Sequence, residues 1–177
     1  MFKIQGYYDN YIYLLTREHF VGHTVGLHSY THDYKVIYQS VDSYMQDLLK
    51  IQNKVKSYTG IESMIIRFPG GSSNTISKRY KIGIMSELSN KVQELGFKYF
   101  DWTIASGDAG NTRDTNKIIS NVTSSFKEDS MNVDLMHDIK PYSVDAGESI
   151  ITYGLANGYT FAPLTLNSPN VHQKVNN

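Results

Sequence analysis

The stretch Val25-Gly26-Leu27-His28-Ser29-Tyr30-Thr31-His32-Asp33-Tyr34 places two histidines directly after a short apolar run. The run predicts a buried strand over residues 24–27 that ends at His28. If the backbone turns helically after Leu27, the four-residue spacing brings both imidazoles onto one face. The pair then reads either as two metal ligands or as ordinary structural histidines. A zinc protease of the HExxH type is excluded, because Ser29 stands where its general-base glutamate would be.

Composition limits the class of protein. A chain of 177 residues with 40% hydrophobic content predicts one domain with a buried core, over residues 1–166, followed by a polar tail over residues 167–177. Seventeen basic and seventeen acidic side chains cancel, which argues against a nucleic-acid partner or an anionic membrane surface. The sequence has no cysteine, so disulfides and thiolate metal sites are excluded. We find no apolar run long enough to span a membrane and no secretory signal pattern, and the compartment is left open.

Short apolar runs alternate with longer segments of helical period, which is typical of an α/β fold with parallel strands. The clearest helix is residues 40–57, with Ser40 as its N-cap and Gly60 just beyond its end. We also predict helices over residues 11–20, 84–95, 115–126 and 145–157, and strands over residues 1–4, 24–27, 64–66, 99–104, 132–136 and 160–164.

Two further motifs follow predicted strands. Arg67-Phe68-Pro69-Gly70-Gly71 comes after the strand at residues 64–66, and His137 comes after the strand at residues 132–136. In a parallel α/β barrel the carboxyl ends of the strands share one rim, so we expect both motifs to face the histidine pair. Taken singly, each also has an ordinary interpretation as a surface arginine, a turn glycine or a histidine at a strand end.

Together these motifs resemble a known family. The stretch Gly22–His32, the Arg67–Gly71 motif and Leu135-Met136-His137-Asp138 are similar, in order and spacing, to motifs of the NodB-homology polysaccharide deacetylases, carbohydrate esterase family 4. The similarity is to the peptidoglycan-deacetylase-like branch. It implies a distorted (β/α) TIM-like barrel and a metal-dependent hydrolase that removes acetyl groups from N-acetylated glycans. The expected partner is an acetylated polysaccharide such as peptidoglycan or a chitin-like oligomer, in a secreted or cell-envelope protein of a bacterium.

The resemblance also implies roles for individual residues. The expected metal is divalent, most often zinc in this family. By position in the motifs, His28 and His32 are the expected metal ligands, and Arg67 is expected to orient the catalytic base. Gly70 is expected to bind the oxyanion through its N–H, and His137 to donate a proton to the leaving amine. The expected substrate contacts come from Leu135, Asp108 and Pro69.

The sequence departs from the family at two motifs. A Thr-Phe-Asp-Asp motif, which supplies the base and a third metal ligand, has no counterpart, and residues 1–4 align with the family's second strand. We therefore expect an incomplete barrel without its first βα unit, an exposed sheet edge open to homo-oligomer formation, and weak zinc binding. Ala105 replaces an aspartate that supports the general-acid histidine. The alternative function is that of an inactive, glycan-binding or degenerate remnant of the family.

Overall fold

The computed structural model describes residues 13–177, which form two compact units. The first unit runs to Asp101 and also contains Pro163–Asn177, and the second unit is Trp102–Ala162. The described helices are α1 (Tyr13–Phe20), α2 (Tyr34–Ile37), α3 (Val41–Thr59) and α4 (Ile84–Glu94) in the first unit, and α5 (Thr115–Thr123) and α6 (Pro141–Ala156) in the second. None of these helices combines the length and the apolar character needed to cross a membrane.

The strands are parallel, which confirms the α/β prediction. In the first unit β1 (Ile65–Ile66) pairs with β2 (Lys98–Tyr99), and Leu27 forms a single parallel bridge to Ile66. In the second unit β3 (Ile104–Ala105) pairs with β4 (Asp134–Leu135). Each pair is joined through a helix. These strands form two two-stranded sheets, and no closed barrel is seen within residues 13–177. The strand predicted at residues 1–4 and the sheet edge beside it lie outside the described residues.

Helix α3 forms as its sequence predicts. The Ser40 hydroxyl accepts a hydrogen bond from the Ser43 N–H at 3.0 Å, and Gly60 closes the helix in a left-handed conformation with φ of 73°. Both caps satisfy backbone groups that a helix end leaves unpaired. The apolar face of α3 packs into the core of the first unit through Tyr44, Met45, Leu48, Ile51 and Val55.

Several predicted boundaries are wrong. Residues 99–104 are not one strand, because β2 ends at Tyr99 and β3 begins at Ile104, and the division between the units falls between Asp101 and Trp102. Helix α6 starts at Pro141 rather than at residue 145, since proline suits the first turn of a helix. Helix α2 was not expected, residues 160–164 form no strand, and the strand at 24–27 reduces to the bridge at Leu27.

The C-terminal residues are fastened to the first unit. Val175 packs against the core of that unit, and the His172 ring stacks on Tyr99 with centroids 3.7 Å apart. The buried Asp101 carboxylate accepts hydrogen bonds from the Gln173 N–H at 2.8 Å and from the N–H of Ser72 at 2.8 Å. Asp101 therefore ties the C-terminal segment to the loop that follows the Arg-Pro-Gly motif.

Candidate active-site residues

One ring nitrogen of His28 is held by the backbone, and the other faces His32. His28 follows Leu27, whose parallel bridge to Ile66 fixes the backbone, and its Nδ1 lies 2.8 Å from the Arg67 carbonyl oxygen. A carbonyl can only accept, so Nδ1 carries the proton and Nε2 keeps its lone pair. Burial lowers the pKa of His28 to about 3, although the bond to Arg67 opposes this shift. The ring is therefore neutral, as a metal ligand must be.

His32 completes a pair of nitrogen donors. Its Nε2 lies 3.1 Å from Nε2 of His28, and the ring centroids are 4.9 Å apart. Two imidazole nitrogens on one zinc ion, each at about 2.0–2.1 Å with a near-tetrahedral angle, would be separated by roughly 3.3 Å. The separation is that of a hydrogen bond between the two rings, and together with the tautomer of His28 it also fits a shared metal ion. His32 takes a φ of 54°, a left-handed conformation that is unusual for a residue with a Cβ.

A carboxylate from α3 supports the segment between these histidines. Asp47 is 7% exposed, and its two oxygens accept hydrogen bonds from Ser29, Tyr30 and Thr31. Sequence reasoning missed this residue. The available signal was an aspartate among Tyr44, Met45 and Leu48 on the apolar face of a predicted helix, where an ionised side chain needs hydrogen-bonding partners.

The described residues include two candidate metal ligands, His28 and His32. Within residues 13–177, no group of three histidine, cysteine or carboxylate side chains lies close enough to hold a metal ion. Asp33, which follows His32 directly, caps α2 instead, because its Oδ1 accepts from the Lys35 N–H at 2.9 Å.

The Arg-Pro-Gly loop belongs to the same unit as the histidine pair. The Arg67 guanidinium donates to the carbonyls of Phe100 at 3.1 Å and Asp101 at 3.3 Å. Pro69 presents its carbonyl to the Tyr38 hydroxyl at 2.6 Å. Gly70 has a φ of 77°, and a Cβ there would lie 2.9 Å from the Tyr34 hydroxyl. Glycine is therefore favoured at position 70 by its backbone conformation and by the closeness of the Tyr34 hydroxyl.

His137, Leu135 and Asp108 belong to the second unit. The Asp108 carboxylate is 1% exposed and lies 2.8 Å from His137 Nδ1. It also accepts from the His137 backbone N–H at 2.6 Å and the Ser143 hydroxyl at 2.7 Å. Burial alone would raise the pKa of Asp108, but the bonds from Ser143 and His137 together outweigh it and lower that pKa. Both oxygens are thus engaged within the protein, and the substrate contact that the resemblance implies for Asp108 stays a prediction.

Leu135 and Ala105 are partners in the β3–β4 ladder. Leu135 is half-buried and Ala105 is exposed. Neither contributes a charged group next to His137. The carboxylate beside the histidine ring comes from Asp108, three positions after Ala105.

Comparison with known proteins agrees with these motifs. A sequence model of the family described as polysaccharide deacetylase matches residues 1–89. The catalytic domain of a peptidoglycan N-acetylglucosamine deacetylase from Eubacterium rectale is 45% identical, with a TM-score of 0.94, over 99% of this chain and 80% of that chain. The chain belongs to the polysaccharide deacetylase family.

Other members of the polysaccharide deacetylase family are similar as well. A polysaccharide deacetylase structure from Bacillus cereus is 30% identical, with a TM-score of 0.80, over 96% of this chain and 83% of that chain. A peptidoglycan-N-acetylglucosamine deacetylase from the same species is 32% identical over 84% of this chain and 52% of that protein. The chain spans about half the length of the curated relatives it matches.

Proposed function

We propose that this polysaccharide deacetylase homologue is a metal-dependent hydrolase that removes acetyl groups from N-acetylated glycans such as peptidoglycan. The observation that carries the proposal is the pair of Nε2 atoms 3.1 Å apart, with the tautomer of His28 set by the Arg67 carbonyl. The names of the similar proteins support the substrate class. As part of the same proposal, the chain takes the distorted (β/α) barrel fold of the family.

In this proposal His28 and His32 would hold a divalent metal, which we propose to be zinc. When bound, the metal supplies a Lewis acid for the acetyl carbonyl and makes water a better nucleophile. The N–H of Gly70 stabilises the oxyanion, and Leu135 and Pro69 contact the acetyl group and the sugar. Arg67 has the role that the resemblance implies, orientation of the catalytic base. Water adds to the acetyl carbonyl, forming a C–O bond, and the C–N bond of the adduct then breaks. His137 gives a proton to the leaving amine and is reprotonated by the proton that the added water releases, so the products are acetate and the free amine in its protonated form.

Acetate release tests the proposal. The purified protein, with added zinc, is incubated with N-acetylglucosamine oligomers and with peptidoglycan fragments, and free acetate is measured. The release that the unaltered protein shows should be lost in His28→Ala and kept in His19→Ala, a matched change at an exposed histidine of α1. Equal rates for the two variants would refute the assigned metal ligands.

A second candidate function is glycan binding without turnover. The ligand count of the described residues favours it, since catalytic zinc sites commonly have three protein ligands and His28 and His32 provide two. We expect zinc binding to be weak, and zinc that stays stoichiometric through dialysis against a mild chelator would contradict that expectation. Oligomer binding without acetate release would favour this second function.

A further inference from the structure

We propose that Asp47 is a positioning residue for metal ligation. Its carboxylate clamps the segment between His28 and His32, which we call the histidine loop (residues 28–32), and so keeps the two imidazole nitrogens ready for one ion. The inference rests on the proposed function only in using the metal that the deacetylase would need.

Asp47 uses its whole carboxylate on the histidine loop. Oδ2 accepts from the Ser29 hydroxyl at 2.6 Å and the Tyr30 N–H at 2.6 Å. Oδ1 accepts from the Thr31 N–H at 3.0 Å and the Thr31 hydroxyl at 2.7 Å. Hydrogen bonds to an ionised acceptor are about twice as strong as neutral ones, and burial strengthens them further. Four such bonds therefore hold three consecutive residues to one helix.

The clamp reaches His32 through Ser29. The Ser29 hydroxyl gives its only proton to Asp47, so its oxygen is free to accept, and the His32 N–H donates to it at 2.9 Å. This relay holds the His32 backbone at a φ of 54°, where a Cβ is crowded by the carbonyl. Without the relay we expect the backbone to relax and the two Nε2 atoms to separate.

A second side chain of α3 contacts the histidine loop at Tyr30. Lys50 places Nζ 4.0 Å from the centroid of the Tyr30 ring, a favourable cation–π distance. Lys50 lies nearly one helical turn beyond Asp47, and Lys54 of the same helix places its Nζ 5.8 Å from the same ring centroid. The histidine loop is thus fixed to a 19-residue helix.

Asp47 acts through the histidine loop and not as a ligand itself. Its oxygens already receive four donors, and no group of three possible ligand residues occurs among the described residues. Its role is the one that outer hydrogen-bonding partners play at metal sites, where their loss typically weakens metal affinity 10- to 100-fold.

Asp47→Asn tests the clamp, with Asp101→Asn as its matched control. Asparagine keeps the shape of the side chain but replaces one acceptor with an amide that faces donors. Asp101 is also a buried carboxylate of the first unit, with bonds to Ser72 and Gln173 and none to the histidine loop. Zinc dissociation constants are measured by competition with a chromogenic chelator, in the absence of substrate.

We expect Asp47→Asn to raise the zinc dissociation constant by about 10- to 100-fold. Asp101→Asn should stay within about threefold of the unaltered protein, even if it lowers the unfolding midpoint as much. The clamp is refuted if Asp47→Asn leaves zinc affinity unchanged, if both variants lose affinity equally, or if the unaltered protein binds no zinc.

Ser29→Ala provides a second route if Asp47→Asn fails to fold. It removes only the relay to His32 and leaves the bonds of Asp47 to Tyr30 and Thr31. We expect a several-fold loss of zinc affinity, and unchanged affinity would overturn the relay. Because zinc binding is measured without glycan, a failure of deacetylation alone would refute the proposed function and leave the clamp standing. If the protein releases acetate but Asp47→Asn binds zinc as tightly as the unaltered protein, the clamp alone is refuted.

Discussion

Asp108 gives His137 the carboxylate partner that position 105 does not. The Nδ1 of His137 is held at 2.8 Å by Asp108, so Nε2 is the ring nitrogen that remains for the proton donation proposed above. Because Asp108 already binds Nδ1, an aspartate introduced at position 105 could not take over that contact with the ring. The expectation that Ala105 weakens His137 stays a prediction, and the contact of Asp108 with the ring gives a reason to expect a small effect.

We predict that Asp108→Asn lowers kcat/KM for acetate release by roughly 10- to 100-fold, the usual cost of losing such an outer partner. Ala105→Asp should change the same constant by less than about threefold, because Asp108 already orients the ring. A large gain of activity in Ala105→Asp would mean that Asp108 does not serve His137 in the reaction.

Asp108→Asn should also change how the stability of the protein depends on pH. Folding lowers the pKa of the Asp108 carboxyl below its ordinary 3.8, so its contribution is complete above that value and is lost as the pH falls through the folded-state pKa. Near neutral pH we expect Asp108→Asn to cost roughly 1–3 kcal/mol of unfolding free energy. Urea unfolding should show that cost shrinking below about pH 4, and a difference independent of pH would contradict the argument.

A further prediction compares alanine substitutions at Gly70 and Gly60. Both have φ near 75°, but a Cβ on Gly70 would lie 2.9 Å from the Tyr34 hydroxyl, while a Cβ on Gly60 has nothing within 4 Å. Gly60→Ala should cost about 1 kcal/mol through backbone strain alone. Gly70→Ala should cost roughly 1–3 kcal/mol more, because crowding is added. Equal costs by urea unfolding would show that Tyr34 moves aside freely.

The histidine pair was predictable from the sequence, but its supports were not. The spacing of His28 and His32 places both rings on one side of a turn, and the structure has their Nε2 atoms in contact. Asp47 and Asp108 reach their partners across 18 and 29 residues of chain, respectively. Such pairings depend on how α3 and the strands pack, which no local pattern encodes.

At the level of elements, local signals worked where an element carries its own caps. Helix α3 has Ser40 and Gly60 at its ends and an apolar face of helical period, so its limits were predicted within two residues. Residues 99–104 were misjudged, because an apolar run does not reveal that Asp101 turns its backbone and side chain to the C-terminal segment. The polar composition of residues 167–177 likewise concealed the contacts of His172 and Val175.

We predict that the C-terminal segment stabilises the first unit. Deleting residues 170–177 removes the Gln173 N–H from the buried Asp101 carboxylate and removes Val175 from the core. The loss in unfolding free energy should be roughly 2–4 kcal/mol, since a buried charged acceptor loses a partner. Asn170→Ala, a change at an exposed residue, should cost less than about 0.5 kcal/mol. A deletion as mild as Asn170→Ala would contradict the role of the segment.

At the level of the whole molecule, the two units differ in their cores. The first unit buries a large cluster that includes Tyr44, Leu48 and Phe68, whereas the cluster of the second unit is small and centres on Ile118 and Val122. Local opening is easier where less apolar surface is buried. We therefore expect amides of α5 and α6 to exchange hydrogen faster than those of α3 and α4.

Ile118→Ala sharpens this test. It should accelerate exchange in α5 and α6 and leave α3 unchanged, if the second unit opens independently. Native-state exchange followed by mass spectrometry resolves the helices. A single opening free energy shared by all four helices would mean that the chain opens as one cooperative body.

The discontinuity of the first unit has a consequence for biosynthesis. Residues 163–177 leave the ribosome only after the whole second unit has been translated, yet they provide the donor from Gln173 that Asp101 binds. The nascent second unit can therefore finish folding while the first still waits for its last segment. During that interval Asp101 can bind Ser72 but not Gln173. We expect the nascent chain to be most accessible to chaperones and proteases at that stage.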